Sequence, residues 1–275
     1  LANGDRGGRG IGRDPAPMRA YVLGTSAATT APGRDNASLL LDAGGRYILI
    51  DCPGSVAHKM AKLSLNPLEL WCIFITHAHP EHIYGLPALV HLLRRKGRRE
   101  PLPIYLPIGE EWRAVRILDA FSLLNRPGQF RIELRGLPGD GEPFIREGGL
   151  RAYCLRVEHK VATNGIRVEA GRPRRVFAYT GDTRPCKNAV ALGRGADIFF
   201  HDSTYPDDRA EEARSQGHST AGEAGEDAER AGARRLALFH IGSACFGREA
   251  QIRRQAAARF GGEVVIPKDL SILEA

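Results

Sequence analysis

The segment Phe74-Ile75-Thr76-His77-Ala78-His79-Pro80-Glu81-His82 constrains this chain more than any other, because an apolar run delivers three histidines and an acid within six residues. In extended chain His77 and His79 point to the same side, since side chains alternate with a period of two. Pro80 suits the opening of a helix: its fixed φ fits the first turn, where its missing N–H is not needed. Glu81 and His82 then project from that turn toward the same region. Imidazole nitrogens and carboxylate oxygens are the ligands zinc accepts in catalytic sites that keep one position open for water. Surface histidines in a strand-to-helix turn are the plain alternative. One histidine would fit it; three with an acid, directly after a buried strand, do not.

Around this segment, short β-branched and apolar runs alternate with amphipathic ones. The pattern predicts strands over 19–23, 37–42, 46–51, 71–76 and 102–106, with a hairpin turn at 42–45, and helices over 55–63, 82–95 and 110–124. The second half predicts strands near 130–134, 150–158, 165–169, 175–180, 197–201, 235–239 and 263–266, and helices over 220–231 and 248–260. The Gly- and Pro-rich segment 134–149 reads as a surface loop. No repeat of solenoid type is present. Strands that meander and then alternate with helices, twice over, point to an α/β four-layer αββα sandwich, with two mixed sheets face to face and helices outside.

Residues 18–275 are expected to form one domain. Residues 1–17, Gly/Arg/Pro-rich and without periodicity, are expected to be a flexible tail, with Met18 a candidate natural start. The longest apolar stretches, such as Trp71 to Ile75, are far too short to cross a membrane, and no charged-then-apolar leader is apparent, so cytoplasm is the expected location. Five dispersed cysteines without a C-x-x-C pair argue against a disulfide framework and against a cysteine-built zinc site; each is expected to be a small buried apolar residue. A net charge of +7 hints at anionic partners. The run Arg94-Arg95-Lys96-Gly97-Arg98-Arg99 reads as a solvated helix end that complements the helix dipole, with nucleic-acid contact as the other use.

The sequence His77-x-His79-x-Glu81-His82, followed by Ile83-Tyr84-Gly85-Leu86-Pro87, resembles the metal motif of the metallo-β-lactamase superfamily, in its ribonuclease Z and phosphodiesterase branch. Leu23-Gly24-Thr25-Ser26, Asn36-Ala37-Ser38 and Leu49-Ile50-Asp51-Cys52 precede it in the order that branch shows. Glu158-His159, Thr180-Gly181-Asp182-Thr183-Arg184-Pro185, His201-Asp202-Ser203-Thr204, His218-Ser219-Thr220 and Phe239-His240 follow it. The resemblance runs from about Met18 to the end. It implies the metallo-β-lactamase fold and two zinc ions, one held by His77, His79 and His159, the other by Glu81, His82 and His240, with Asp182 bridging. The same ligand types also take manganese or iron. Relatives frequently form homodimers, and no residue here marks an interface.

The family usually has aspartate where Glu81 stands. The extra methylene moves the oxygens by roughly an ångström, enough to alter a shell whose bond lengths are tightly defined. Asp51, at a strand end, is either an acceptor that orients a ligand histidine or a turn-capping aspartate. The resemblance implies that paired metals share and activate a water for attack on a phosphodiester, that Glu81 orients this water, and that His218 protonates the leaving alkoxide, oriented by Asp202. The other reading of His218 is a helix-entry residue before the Ser219/Thr220 cap. Ribonuclease Z enzymes commonly carry a long arm that grips tRNA, and in many bacterial members it lies where this chain has only the eight residues 168–175. The expected substrates are therefore small or cyclic phosphodiesters or RNA 3′ ends. The alternatives are a lactonase, arylsulfatase or other ester hydrolase on the same scaffold, or a non-catalytic nucleic-acid-binding protein with a decayed metal site.

Overall fold

The computed structural model describes residues 18–124 and 127–275; the tail expected over 1–17 lies outside the described residues. Strands β1 (Arg19–Gly24), β2 (Ser38–Asp42), β3 (Tyr47–Ile50), β4 (Leu70–Phe74), β5 (Leu102–Pro107) and β6 (Ile132–Leu137) lie side by side in that order. A second sheet holds β7 (Asp140–Glu147), β8 (Leu150–Val157), β9 (Thr163–Ala170), β10 (Arg175–Tyr179), β11 (Ile198–Asp202), β12 (Arg235–Phe239) and β13 (Glu263–Val265), again in chain order. The last strand, β14 (Ile272–Glu274), returns to pair antiparallel with β1, so both sheets have seven strands among the described residues. Each sheet is antiparallel first and parallel later: β3 to β6 in one and β10 to β13 in the other run parallel.

Helices α1 (Val56–Lys62), α2 (Pro80–Ile83), α3 (Leu86–Arg95) and α4 (Glu111–Ala120) connect the first sheet, and α5 (Lys187–Gly193), α6 (Ala210–Gln216), α7 (Ala221–Ala231) and α8 (Glu249–Ala257) the second. The layers follow from alternation along strands whose two faces are both apolar. Leu39, Leu41, Ile48 and Phe74 face Ile166, Val168, Phe177 and Phe200 between the sheets. Their neighbours Leu40, Leu49 and Ile73 point outward onto Val56, Met60, Leu89 and Leu118 of the first helical layer. Across the molecule Phe199, Leu236 and Leu238 meet Ala224 and Ala228 of α7 and Ile252 of α8. The result is the αββα sandwich that the alternating elements imply. Among the described residues no helix is long and apolar enough to cross a membrane.

Three expectations need correction. The helix expected over 82–95 is two helices, because Pro87 enters the first turn of α3 and cannot donate to a preceding turn. The break lets Gly85 dock against the β3–α1 loop: its N–H donates to the Cys52 carbonyl at 2.8 Å, and a Cβ there would lie 2.1 Å from the Pro53 oxygen. The segment 134–149 is not a loop: it contains the end of β6 and all of β7, with Pro143 accommodated at a register shift in an edge strand, where a missing N–H breaks no ladder. The basic run after α3 is only partly solvated, since Arg98 is buried and donates to the carbonyls of Leu70, Glu100 and Pro101 at 2.6–2.9 Å.

Candidate metal centre and active site

Residues that follow β3 (Asp51), β4 (His77, His79), β8 (His159), β10 (Asp182) and β12 (His240), together with Asp202 at the end of β11, come together at one rim of the sandwich. His77, His79, His159 and Asp182 offer ligand atoms within 4.8 Å of one another; so do Glu81, His82 and His240, and so do Asp182, Asp202, His218 and His240. Every site residue singled out from the sequence is therefore in this one cluster. Glu81 reaches it despite its extra methylene. Asp182 stands at the centre. Its Oδ2 lies 3.5 Å from His77 Nε2, 3.6 Å from His82 Nε2 and 4.0 Å from His159 Nε2, and its Oδ1 lies 3.4 Å from His240 Nε2.

Four rings are aimed by a bond at their other nitrogen. His82 Nδ1 donates to Asp51 Oδ2 at 2.8 Å, and His159 Nδ1 donates to the Gly217 carbonyl at 2.7 Å. The Thr76 hydroxyl donates to Asp51 and accepts from His77 Nδ1 at 3.0 Å. The Thr204 hydroxyl donates to Asp202 Oδ1 at 2.7 Å and accepts from His240 Nδ1 at 2.9 Å. Each arrangement fixes the tautomer whose Nε2 lone pair faces the cluster. Asp51 is thus the orienting acceptor rather than a turn cap. Asp51 and His240 both hold left-handed backbone, with φ of 59° and 55°. That conformation disfavours side chains bearing a Cβ, so the surrounding structure must impose it.

These atoms fit divalent cations. His82 Nε2, Asp182 Oδ1 and His240 Nε2 are buried without a hydrogen-bond partner among the described residues, an arrangement that costs about 1–3 kcal/mol for each group left unsatisfied. Tetrahedral zinc with bonds of about 2.0–2.1 Å holds neighbouring ligand atoms roughly 3.4 Å apart. The separations run from 2.9 Å between His77 Nε2 and His79 Nδ1 to 4.0 Å between His159 Nε2 and Asp182 Oδ2, and bracket that spacing, with His77 to Asp182 at 3.5 Å and His240 to Asp182 at 3.4 Å. Burial and neighbouring imidazoles hold His77 well below the ordinary histidine range, and burial lowers His240 to about 4, so both rings are neutral at pH 7, the form that can bind a cation. Asp182 is held well below the carboxylate range: burial opposes ionisation, but His240, His82 and His77 outweigh it. His82 goes the other way, because Asp51 and Asp182 overcome its burial. A cation beside it would reverse that preference and release the proton.

The second device is the pair of Asp202 and His218. Asp202 Oδ2 accepts from His218 Nδ1 at 2.8 Å and from the Thr183 N–H at 2.9 Å. Burial lowers the affinity of His218 for its proton, yet Asp202 more than offsets this and raises its pKa to about 9. Its ring lies 5.3 Å from that of His240 and 5.0 Å from that of His159. Ser219 and Thr220 do open a helix: Thr220 and Glu223 form a reciprocal capping box at the start of α7. His218 is nevertheless turned into the cluster, at the end of the Gly217 turn that closes α6.

Thr76, Thr204 and Gly217 carry no role that the sequence alone announces. Thr204 is visible in its motif, but its partners lie up to 36 residues away. His201, in the same motif, stays outside the cluster: it donates from Nδ1 to the Asp202 carbonyl and faces Asp227 at 3.4 Å. Burial pushes the Cys52 thiol upward, Cys186 accepts from the Ala189 N–H as the cap of α5, and neither belongs to a candidate ligand group among the described residues. A concavity of about 1250 Å³ lies away from the histidines, among the turns around Gly44, Gly148 and Arg172.

Comparison with known proteins agrees with this geometry. The model of the beta-lactamase superfamily domain matches residues 46–241. Ribonuclease Z of Natronomonas pharaonis is 29 % identical over 92 % of this chain and 96 % of its own length. Ribonuclease Z of Methanothermobacter thermautotrophicus is 30 % identical over 82 % of this chain and 86 % of its own. Among solved structures, the metallo-beta-lactamase fold protein YhfI from Bacillus subtilis shares the fold with a TM-score of 0.79, at 24 % identity over 94 % of this chain and 100 % of that one. With its rim of histidines and carboxylates, the chain belongs to the beta-lactamase superfamily and is a metal-dependent hydrolase of the ribonuclease Z-like, phosphodiesterase kind.

Proposed function

We propose that this hydrolase cleaves phosphodiester bonds at RNA 3′ ends with two divalent cations, zinc foremost. His77, His79, His159 and Asp182 would hold one; Glu81, His82, His240 and Asp182 would hold the other. The observation that carries this reading is Asp182, whose two carboxylate oxygens face different histidines from a fully buried position. Cations bound there supply Lewis acidity, lowering the pKa of water toward neutrality and neutralising charge that builds on phosphate oxygens.

The chain's own groups do the rest. Glu81, half-buried at the rim, accepts a hydrogen bond from the attacking water and orients it. His218, protonated at neutral pH, gives a proton to the leaving alkoxide, which departs poorly without one. Asp202 keeps that imidazole oriented and charged, and Thr183 and Thr204 keep Asp202 in place.

The likeness to ribonuclease Z over nearly the whole chain supports RNA as the substrate. A small or cyclic diester is the second reading, favoured by the tight connection between β9 and β10, where the resemblance leads one to expect an arm. The test sets a 3′-extended RNA, a cyclic nucleotide, bis(p-nitrophenyl) phosphate and a lactone side by side, with metal analysis of the purified protein. Cleavage of RNA and of the nitrophenyl diester is expected. Turnover of the lactone alone would overturn the phosphodiesterase reading, and a protein unable to take up any transition metal would turn it into a binding protein.

A further inference from the structure

An open cleft of about 540 Å³ is lined by Arg156, Glu158, Pro185, Lys187, Asn188 and Arg230 among others. It is built on the two segments that carry His159 and Asp182. Glu158 precedes His159 and pairs through its backbone with Arg184, two residues beyond Asp182. Pro185 is three residues from Asp182, so their Cα atoms lie within about 11 Å of each other even if the chain were fully extended.

Three cations line the cleft against a single carboxylate, that of Glu158. Arg230 already has Asp227 at 3.4 Å, whereas Arg156 and Lys187 have no ion-pair partner among the described residues. Their mounts are firm: the Asn188 amide donates to the Arg156 carbonyl at 2.6 Å, tying the end of β8 to α5, and the Arg156 N–H donates to the Gly139 carbonyl at 2.9 Å. Unpaired cations in a concave site on rigid elements suit a phosphate, which a guanidinium grips through two parallel hydrogen bonds.

We infer that this cleft seats a backbone phosphate of a single-stranded RNA segment, one or more nucleotides away from the bond being cut. The inference rests on the phosphodiesterase reading and deepens it: the substrate is a polynucleotide, and a second of its phosphates is held by Arg156 and Lys187. Glu158 opposes that phosphate and tempers the grip.

The test compares wild type with Arg156→Ala/Lys187→Ala and with Glu158→Gln, on a 3′-extended single-stranded RNA and on bis(p-nitrophenyl) phosphate, which has only one phosphate. The double variant is expected to raise KM for RNA about tenfold with kcat unchanged, and to leave the small diester unaffected. The slope of log affinity against log salt should shrink by about 0.7 for each phosphate that the variant no longer neutralises. Glu158→Gln should change RNA affinity in the opposite direction, which loss of folding cannot imitate. Unchanged RNA affinity and salt slope in the double variant would overturn the inference, as would equal losses on both substrates. If wild type cleaves the nitrophenyl diester yet ignores RNA, the cleft inference falls while the phosphodiesterase reading stands. If it binds RNA through these residues but cleaves no diester, the reverse holds.

Discussion

Asp202 and His218 form a partly buried ion pair, Oδ2 to Nδ1 at 2.8 Å, with the carboxylate further held by the Thr183 N–H and the Thr204 hydroxyl. The pair keeps an imidazolium beside the His240 ring, which burial holds neutral. Charge therefore sits where a leaving oxygen can draw a proton from it.

The rate should accordingly fall as pH rises through the His218 pKa, about 9, and cations bound nearby would bring that limb lower. Asp202→Asn removes the charge and should move the limb down by about one unit or more. A pH–rate profile checks this, and an unmoved limb would remove the pair from the acid role. The stability linkage has a definite sign. Because His218 is raised from 6.5, its contribution is fully present below 6.5 and is lost as pH climbs through about 9.

The leaving group offers a separate check. His218→Ala should slow cleavage of a diester with an alkyl leaving group by about 100-fold or more, the range of general acid catalysis, and slow nitrophenolate release far less. Equal losses on the two substrates would show that His218 serves binding or structure instead.

Asp51→Asn should weaken metal retention about 10–100-fold, the usual effect of altering a group that orients a ligand. Asn tolerates the left-handed backbone at this position, where φ is 59°, so the fold should survive. Metal content after dialysis against a chelator, read beside the thermal midpoint, separates loss of metal from loss of structure.

Glu81→Gln should reduce bound metal from two equivalents to one, since Glu81 would hold one cation and His77, His79 and His159 the other. Titration with zinc followed by calorimetry measures the stoichiometry. Two equivalents of unchanged affinity would show that Glu81 is not a ligand.

Gly217→Ala should cost about 1–2 kcal/mol, because φ is +85° there and a Cβ disfavours left-handed backbone. It should also cost activity beyond that, since the Cβ would stand 2.9 Å from His159 Nδ1. Urea unfolding and kcat/KM on one preparation measure both effects.

Much of this is legible in the sequence because it is local. His77, His79 and His82 lie within six residues after an apolar strand, and runs such as Ser38–Asp42 and Ile198–Asp202, apolar at consecutive positions, announce strands buried on both faces. The distant members His159, Asp182 and His240 come from ordered motifs, not from periodicity. What escapes depends on contacts made across the chain. Thr204 matters because Asp202, His218 and His240 converge on its hydroxyl, and no local pattern marks a threonine for that. Composition misleads at Pro143, which an edge strand tolerates, and at Arg98, whose charge is absorbed by carbonyls.

The Gly217 carbonyl grips His159 while the next residue in the chain, His218, presents the proton. One peptide unit therefore joins the carbonyl that orients His159 to the residue whose imidazole Asp202 holds. The backbone torsions at this glycine, with φ of +85°, thus set the positions of both rings at once.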